Sequence, residues 1–145
     1  MSFLVAYDDS PLSRAAVSRA VGFASAEETD VVVVTVIPKS AAYARSNGWL
    51  ADGEAFDADA VEETLASRVR EVAPDAEFRT VRMGSTQPQS AIGLAIRREA
   101  KRADAEVVFV GSANAGRIVT NLASVGQNVA TDVGYDVHIV RRPSQ

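Results

Sequence analysis

The sequence predicts an α/β fold, a single domain in which five parallel strands form one doubly wound sheet with helices on both faces. Three observations predict it. Short runs of apolar, β-branched residues alternate with segments of helical periodicity, as in repeated βαβ units. The second run, residues 30–37, contains four consecutive valines, which is typical of a strand buried on both faces. The length of 145 residues suits one domain over residues 1–145.

The first half of the chain contains two predicted strands, a helix and a long loop. The first strand covers residues 3–7. Ser10 is a good N-cap and Pro11 suits the first position of a helix, so a helix is expected up to about Ala26. Residues 30–37 form the second strand. Residues 38–57 show no clean period, and a loop of that length within a domain is usually functional or mobile.

In the second half of the chain, predicted helices and strands alternate. The predicted elements are a helix over residues 58–72, a half-exposed edge strand over 77–83, a helix from 85–89 to about 103, and a short apolar strand over 106–110. Ser124 and Gln127 have the spacing of a capping box, which predicts a last helix ending near Asp132. A fifth strand over residues 136–141 follows.

Composition excludes several functional classes. The chain has no cysteine, which excludes disulfides, thiolate catalysis and cysteine-ligated zinc, and its one histidine, His138, argues against histidine metal sites and Ser-His chemistry. The net charge of −4 argues against a broad surface for nucleic acid or anionic membrane. The N-terminus has no basic region, and the longest apolar run is too short to cross a membrane. We therefore expect a soluble cytoplasmic protein.

Candidate ligand-binding residues lie where predicted strands end. In an open parallel sheet, ligands bind beyond the carboxyl ends of the strands, where the strand order reverses. The first strand ends in Asp8, the second at Val36 and the fourth at Val110 and Gly111. An acid accepts hydrogen bonds from ribose hydroxyls, and small residues let backbone N–H groups approach phosphates, so this pattern suits a nucleotide. Asp8 is explained equally well by an Asx turn before the first helix.

Aromatic residues in the long loop have a structural explanation. We expect Tyr43, Trp49 and Phe56 to pack against the end of the sheet rather than form a lid, because that is the commoner role of aromatics in a long loop. His138 lies in an apolar strand, and we expect it to be packed or to face a dimer partner.

Four segments resemble the universal stress protein family. Residues 4–10, Leu-Val-Ala-Tyr-Asp-Asp-Ser, look like that family's opening strand with its Val-Asp-Gly-Ser turn, and residues 33–38, 105–112 and 137–141 look like its second, fourth and closing strands. The resemblance covers nearly the whole chain. It implies the strand order 3-2-1-4-5, a regulatory role in stress through partners or nucleotide occupancy, and ATP or AMP as the ligand. It also favours a homodimer through the last strand, whose apolar Val137 and Ile139 would lie at an exposed sheet edge.

Nucleotide-binding members of that family carry the signature Gly-x₂-Gly-x₉-Gly-(Ser/Thr), which this chain matches in part. Gly111 stands at the first glycine and Asn114 replaces the second, which is tolerable because Asn accepts left-handed backbone angles. Ala123-Ser124 replaces Gly-Ser after eight intervening residues, and the added methyl group opposes close approach of a phosphate. An alternative alignment of the signature, on Gly116 and Gly126, keeps nine intervening residues. It places Gln127 where the signature has serine or threonine. The resemblance implies nucleotide contacts by Asp8, Val36, Val110, Gly111, Asn114, Gly116, Ala123, Ser124 and Val125.

Three alternative functions compete with this one. Family members without the signature are thought not to bind ATP, and the alternative that they suggest is action through protein partners alone. A receiver domain also has an acid pair after its first strand, but it needs an aspartate after its third strand, where this chain has Met83-Gly84. An enzyme of the related adenine-nucleotide α-hydrolase-like group would carry Ser-Gly-Gly-x-Asp-Ser or His-x-Gly-His, which residues 7–11 do not match. Neither catalytic residues nor metal ligands are assigned.

Overall fold

The computed structural model of the protein describes residues 1–88, 90–115 and 134–143. Its elements, in chain order, are β1 (Ser2–Ala6), α1 (Pro11–Glu27), β2 (Asp30–Pro38), α2 (Ala41–Ser46), α3 (Ala58–Val72), β3 (Glu77–Met83), α4 (Ser90–Arg102), β4 (Ala105–Gly111) and β5 (Asp136–Val140). The predicted last helix near Asp132 lies outside the described residues. Within them, no helix is long and apolar enough to cross a membrane.

The five strands form one sheet in the order β3-β2-β1-β4-β5, and the paired strands run parallel. This confirms the predicted fold class and strand order. In the register of the central strand, Leu4 pairs with Val32 on one side and Val108 on the other. All of β1 and residues 31–37 of β2 are buried, which explains why both read as continuous apolar runs. The order reverses between β1 and β4, so a switch point lies between their carboxyl ends.

Helices cover both faces of the sheet because successive strand side chains point to opposite sides. Phe3, Val5 and Val33 belong to one apolar cluster with the buried sides of α1 and α3. Leu4 and Val32 belong to a second cluster with α4. Burial of apolar surface in two layers fixes the positions of the loops at the carboxyl end of the sheet.

The long loop differs from the prediction in one respect, because it contains the six-residue helix α2. Ser40 caps it, accepting a hydrogen bond from the Tyr43 N–H at 3.1 Å. A helix this short has too few turns to produce a periodic apolar stripe, and the sequence pattern therefore does not reveal it.

Candidate functional site

The carboxyl ends of β1, β2 and β4 enclose a small cavity beside the switch point. Its volume is about 30 Å³, and it is lined by Ala6, Tyr7, Asp8, Val36, Tyr43, Ile92, Ile96, Val110 and Asn114. Four of the predicted site residues, Asp8, Val36, Val110 and Asn114, therefore meet at one place. The predicted residues Gly116, Ala123, Ser124 and Val125 lie outside the described part of the chain.

Asp8 is the charged residue among the described residues that line this cavity. Its Oδ1 accepts a hydrogen bond from the Ser10 N–H at 3.1 Å, and its Oδ2 accepts one from Asn114 Nδ2 at 2.8 Å. Burial raises the pKa of this carboxyl, but hydrogen bonds from Ser10, Asn114 and Ser13 outweigh burial and hold the pKa below its ordinary value. Asp8 is therefore an ionised acceptor at neutral pH. It forms the expected Asx-type bond through one oxygen and faces Asn114 through the other.

The backbone around Asp8 is held from two sides. The Asp8 N–H donates to Ser13 Oγ at 3.3 Å, and Trp49 Nε1 donates to the Asp8 carbonyl oxygen at 2.9 Å. Trp49 is buried, and its ring meets that of Tyr43 edge-on with centroids 5.5 Å apart. Tyr43 in turn lines the cavity. The segment around α2 thus packs onto the end of the sheet, as expected for Trp49 and Tyr43, and it also anchors the backbone of Asp8.

Asp9 has a role that the sequence reasoning missed. It is buried, with a φ of 65°, a left-handed conformation that costs energy for a residue other than glycine. Its carboxylate accepts a hydrogen bond from the Tyr7 hydroxyl at 2.6 Å and pairs with Arg14 at 3.3 Å and with Arg68. Burial, and then the bond to Asp9, raise the pKa of the Tyr7 phenol. The signal in the sequence is that Asp9 stands where the resembling family's Val-Asp-Gly-Ser turn has glycine.

Gly111 does not line the cavity, but it has a clear packing role. A Cβ atom at this position would lie 2.8 Å from Leu12 Cβ and 3.3 Å from the Leu12 carbonyl carbon. The end of β4 can therefore approach the first turn of α1 only because position 111 lacks a side chain. This packing contact is enough to explain why residue 111 is glycine, and the explanation does not require a bound phosphate.

In the described part of the chain, two larger cavities lie away from the switch point. One, of about 370 Å³, lies at the opposite end of the strands, beside the start of β2, where Glu28, Asp30 and Asp75 are among its lining residues. The other, of about 570 Å³, lies beside Phe56 and Met83, near the ends of β2 and β3. Because ligands of parallel sheets bind at the switch point, the small cavity beside Asp8 is the candidate site despite its size.

The chemistry of the described lining is simple. Ala6, Val36, Ile92, Ile96 and Val110 provide apolar walls, and Asp8 provides an ionised acceptor. In the described part of the chain, no group of three His, Cys, Asp or Glu side chains is placed to hold a metal ion. The described part of the site therefore suits an uncharged, largely apolar ligand group that carries hydrogen-bond donors.

Comparisons with known proteins agree with this architecture. The model of the Universal stress protein family matches residues 1–141. A solved structure of a universal stress protein in complex with cAMP is 24% identical, with a TM-score of 0.57 over 97% of this chain and 96% of that one.

Two further solved structures show the same fold. A universal stress protein from Archaeoglobus fulgidus in complex with dAMP is 20% identical, with a TM-score of 0.52 over 97% of this chain and 98% of that one. A universal stress protein from Lactobacillus plantarum is 17% identical, with a TM-score of 0.54 over 97% of each chain. Among curated protein sequences, none matches this chain.

Proposed function

The chain belongs to the universal stress protein family, and from that premise we propose that it is a regulatory stress-response protein that binds an adenine nucleotide, ATP or AMP. The ligand binds at the carboxyl ends of β1, β2 and β4. The observation that carries the proposal is the meeting of Asp8, Val36, Val110 and Asn114 around one cavity at the switch point.

The chemistry of the cavity supports the nucleoside part of this ligand. An ionised carboxylate at Asp8 accepts hydrogen bonds from ribose hydroxyls or from the amino group of adenine, and the apolar walls suit the purine ring. Solved relatives that are complexed with cAMP and dAMP support the same ligand class. Phosphate contacts by Gly116, Ala123, Ser124 and Val125 stay a prediction from the family signature. Because that signature is altered, we expect weak binding.

Calorimetric titration with AMP and with ATP tests this proposal. We expect saturable binding by the wild-type chain and binding at least about tenfold weaker in Asp8→Ala, because a hydrogen bond to a charged group contributes about 1.5 to 3 kcal/mol. Asp75→Ala is the matched control, since it removes an exposed carboxylate at the amino ends of the strands, away from the cavity beside Asp8. Equal affinities of Asp8→Ala and the wild type would remove Asp8 from the site.

A second candidate function is action through protein partners without nucleotide. The size of the cavity favours it, because about 30 Å³ is far below the roughly 300 Å³ at which ligand pockets begin. Replacing Ala123 by glycine restores one residue of the family signature, and adding one residue between Asn114 and Ala123 restores its length. If neither variant nor the wild type binds AMP or ATP, nucleotide binding is contradicted and the partner-only function is left.

We also propose a homodimer, formed through the edge of β5. This strand lies at the end of the sheet, and Ile139 is exposed. His138 is packed, as expected, with its ring 4.9 Å from that of Phe109. An apolar edge strand favours pairing with another chain. Light scattering should give a dimer mass for the wild type and for Leu94→Lys, an exposed apolar residue on α4, and a monomer mass for Ile139→Lys. A wild-type monomer at micromolar concentration contradicts this proposal.

A further inference from the structure

The carboxylate of Asp8 already accepts a hydrogen bond of the kind that a ligand would provide. Asn114 Nδ2 donates to Oδ2 at 2.8 Å, across the switch point from the end of β4 to the end of β1. Both side chains line the same cavity. A ribose hydroxyl or an adenine amino group that approaches Asp8 therefore competes with the carboxamide of Asn114.

Asn114 also limits the space in this cavity. Its side chain places four non-hydrogen atoms at a position where the family signature has glycine, which has no side chain. The remaining volume is about 30 Å³, which is too small for a nucleoside. The side chain of Asn114 thus takes up part of the space and also supplies the donor that occupies Asp8.

The two partners of this bond are anchored to different extents. The backbone of Asp8 is bonded to Trp49 and Ser13, and its second carboxylate oxygen is bonded to Ser10. Among the described residues, the bond to Asp8 is the one side-chain hydrogen bond of Asn114. When the pair separates, Asn114 is therefore the side chain that moves.

We propose that Asn114 is a gate for the nucleotide site: its carboxamide occupies the Asp8 carboxylate, and a ligand gains access to Asp8 by replacing this bond with its own donor. The inference rests on the proposed function, because the ligand is the adenine nucleotide of that site. The apparent affinity equals the affinity of the open form multiplied by the fraction of molecules in which the gate is open. The gate also selects ligands that carry a donor, since other ligands leave Oδ2 of Asp8 without the hydrogen bond that Asn114 provides.

Titration of AMP into Asn114→Ala and Asn114→Gly tests the gate. We expect both variants to bind AMP about tenfold more tightly than the wild type, which corresponds to about 1.4 kcal/mol of binding free energy. The alanine variant removes the carboxamide without adding the backbone freedom of glycine. Ser112→Ala is the matched control, because Ser112 is exposed on the same turn and does not line the cavity, and its affinity should equal that of the wild type.

The outcomes separate the gate from the proposed function. Weak but saturable binding by the wild type together with tighter binding by Asn114→Ala supports both. Tight binding by Asn114→Ala with none detectable in the wild type supports the gate and contradicts nucleotide binding by the wild-type chain. Equal or weaker binding by Asn114→Ala contradicts the gate and leaves the nucleotide site in place. Absence of AMP binding in the wild type and in both variants contradicts the proposed function, and the gate with it.

The bond itself has a readout that needs no ligand. In ¹³C NMR titrations, the carboxyl pKa of Asp8 should be higher in Asn114→Ala than in the wild type, because one donor to the charged form is gone. An unchanged pKa would mean that Asn114 does not hold Asp8 in solution, which also overturns the gate.

Discussion

Two segments face each other across one cavity: the turn after β1, and the end of β4 with the residues that follow it. They are held in different ways. In the first, residues 8–10, backbone and carboxylates are bonded to α1, α3 and the segment around α2. The second consists of Gly111 at the end of β4 and the helical residues 112–114. Its described contacts are a close approach of Gly111 to Leu12 and one side-chain bond from Asn114. The first turn is a fixed acceptor, and the second supplies the part that moves.

This difference assigns separate functions to the two sides of the switch point. A preorganised carboxylate binds a donor with little loss of its own conformational freedom. A side chain held by a single bond can be displaced by a ligand that replaces that bond. Substitutions in the first turn should therefore change stability through its network. Gly111 should tolerate no side chain, whereas replacement of Asn114 should change ligand affinity more than stability.

The largest expected effect is that of Gly111→Ala. The new Cβ atom would lie 2.8 Å from Leu12 Cβ and 3.3 Å from a backbone carbon, so β4 and α1 must move apart. Overpacking of this kind costs about 1 to 3 kcal/mol, which urea unfolding will measure. Gly22→Ala is the control, because a Cβ atom there meets nothing within 4 Å and alanine should stabilise α1 by up to about 1 kcal/mol. Similar stabilities for the two variants would show that the approach of β4 to α1 is not tight.

Asp9→Ala should have the next largest effect. It removes the acceptor shared by Tyr7, Arg14 and Arg68, and we expect a loss of about 2 kcal/mol of unfolding free energy. The loss is smaller than for a fully buried pair, because both arginines are half exposed and regain water. Asp9→Gly loses the same bonds but relieves the positive φ, so it should be about 1 kcal/mol more stable than Asp9→Ala. Equal stabilities would mean that the backbone of Asp9 carries no strain.

Asp8→Ala should cost least, at most about 1 kcal/mol at neutral pH, in line with loss of a turn or capping contact. The folded chain lowers the pKa of Asp8, so its contribution is complete above the unfolded pKa of about 3.9 and decreases as pH falls through the lower folded pKa. The difference in unfolding free energy between the wild type and Asp8→Ala should therefore shrink in strong acid. A difference that grows as pH falls would contradict the hydrogen bonds assigned to Asp8.

The parts of this molecule that follow from local pattern could be predicted from the sequence. The apolar runs predict the five strands, and residues 58–72 and 77–83 match α3 and β3. Asp8, Val36, Val110 and Asn114 could be placed together because they end neighbouring strands or follow them. The resemblance to a known family supplied the strand order.

Contacts between residues distant in the sequence could not be predicted in this way. Trp49 reaches Asp8 across 41 positions, and Arg68 reaches Asp9 across 59 positions, and no periodicity encodes either pair. The packing of Gly111 against Leu12 depends on how closely a helix approaches a strand, which is a property of the assembled core. The bond between Asn114 and Asp8 was missed for the same reason, although both residues were candidates for the site.

A crystal structure of the chain with AMP tests the central claim most directly. The account predicts AMP at the carboxyl ends of β1, β2 and β4, with a ribose hydroxyl or the adenine amino group bonded to Asp8. The carboxamide of Asn114 should then have left the Asp8 carboxylate, and Trp49 should still donate to the Asp8 carbonyl oxygen. AMP bound elsewhere, as in the cavity beside Glu28 and Asp75, or AMP bound at the switch point with Asn114 still on Asp8, would contradict it.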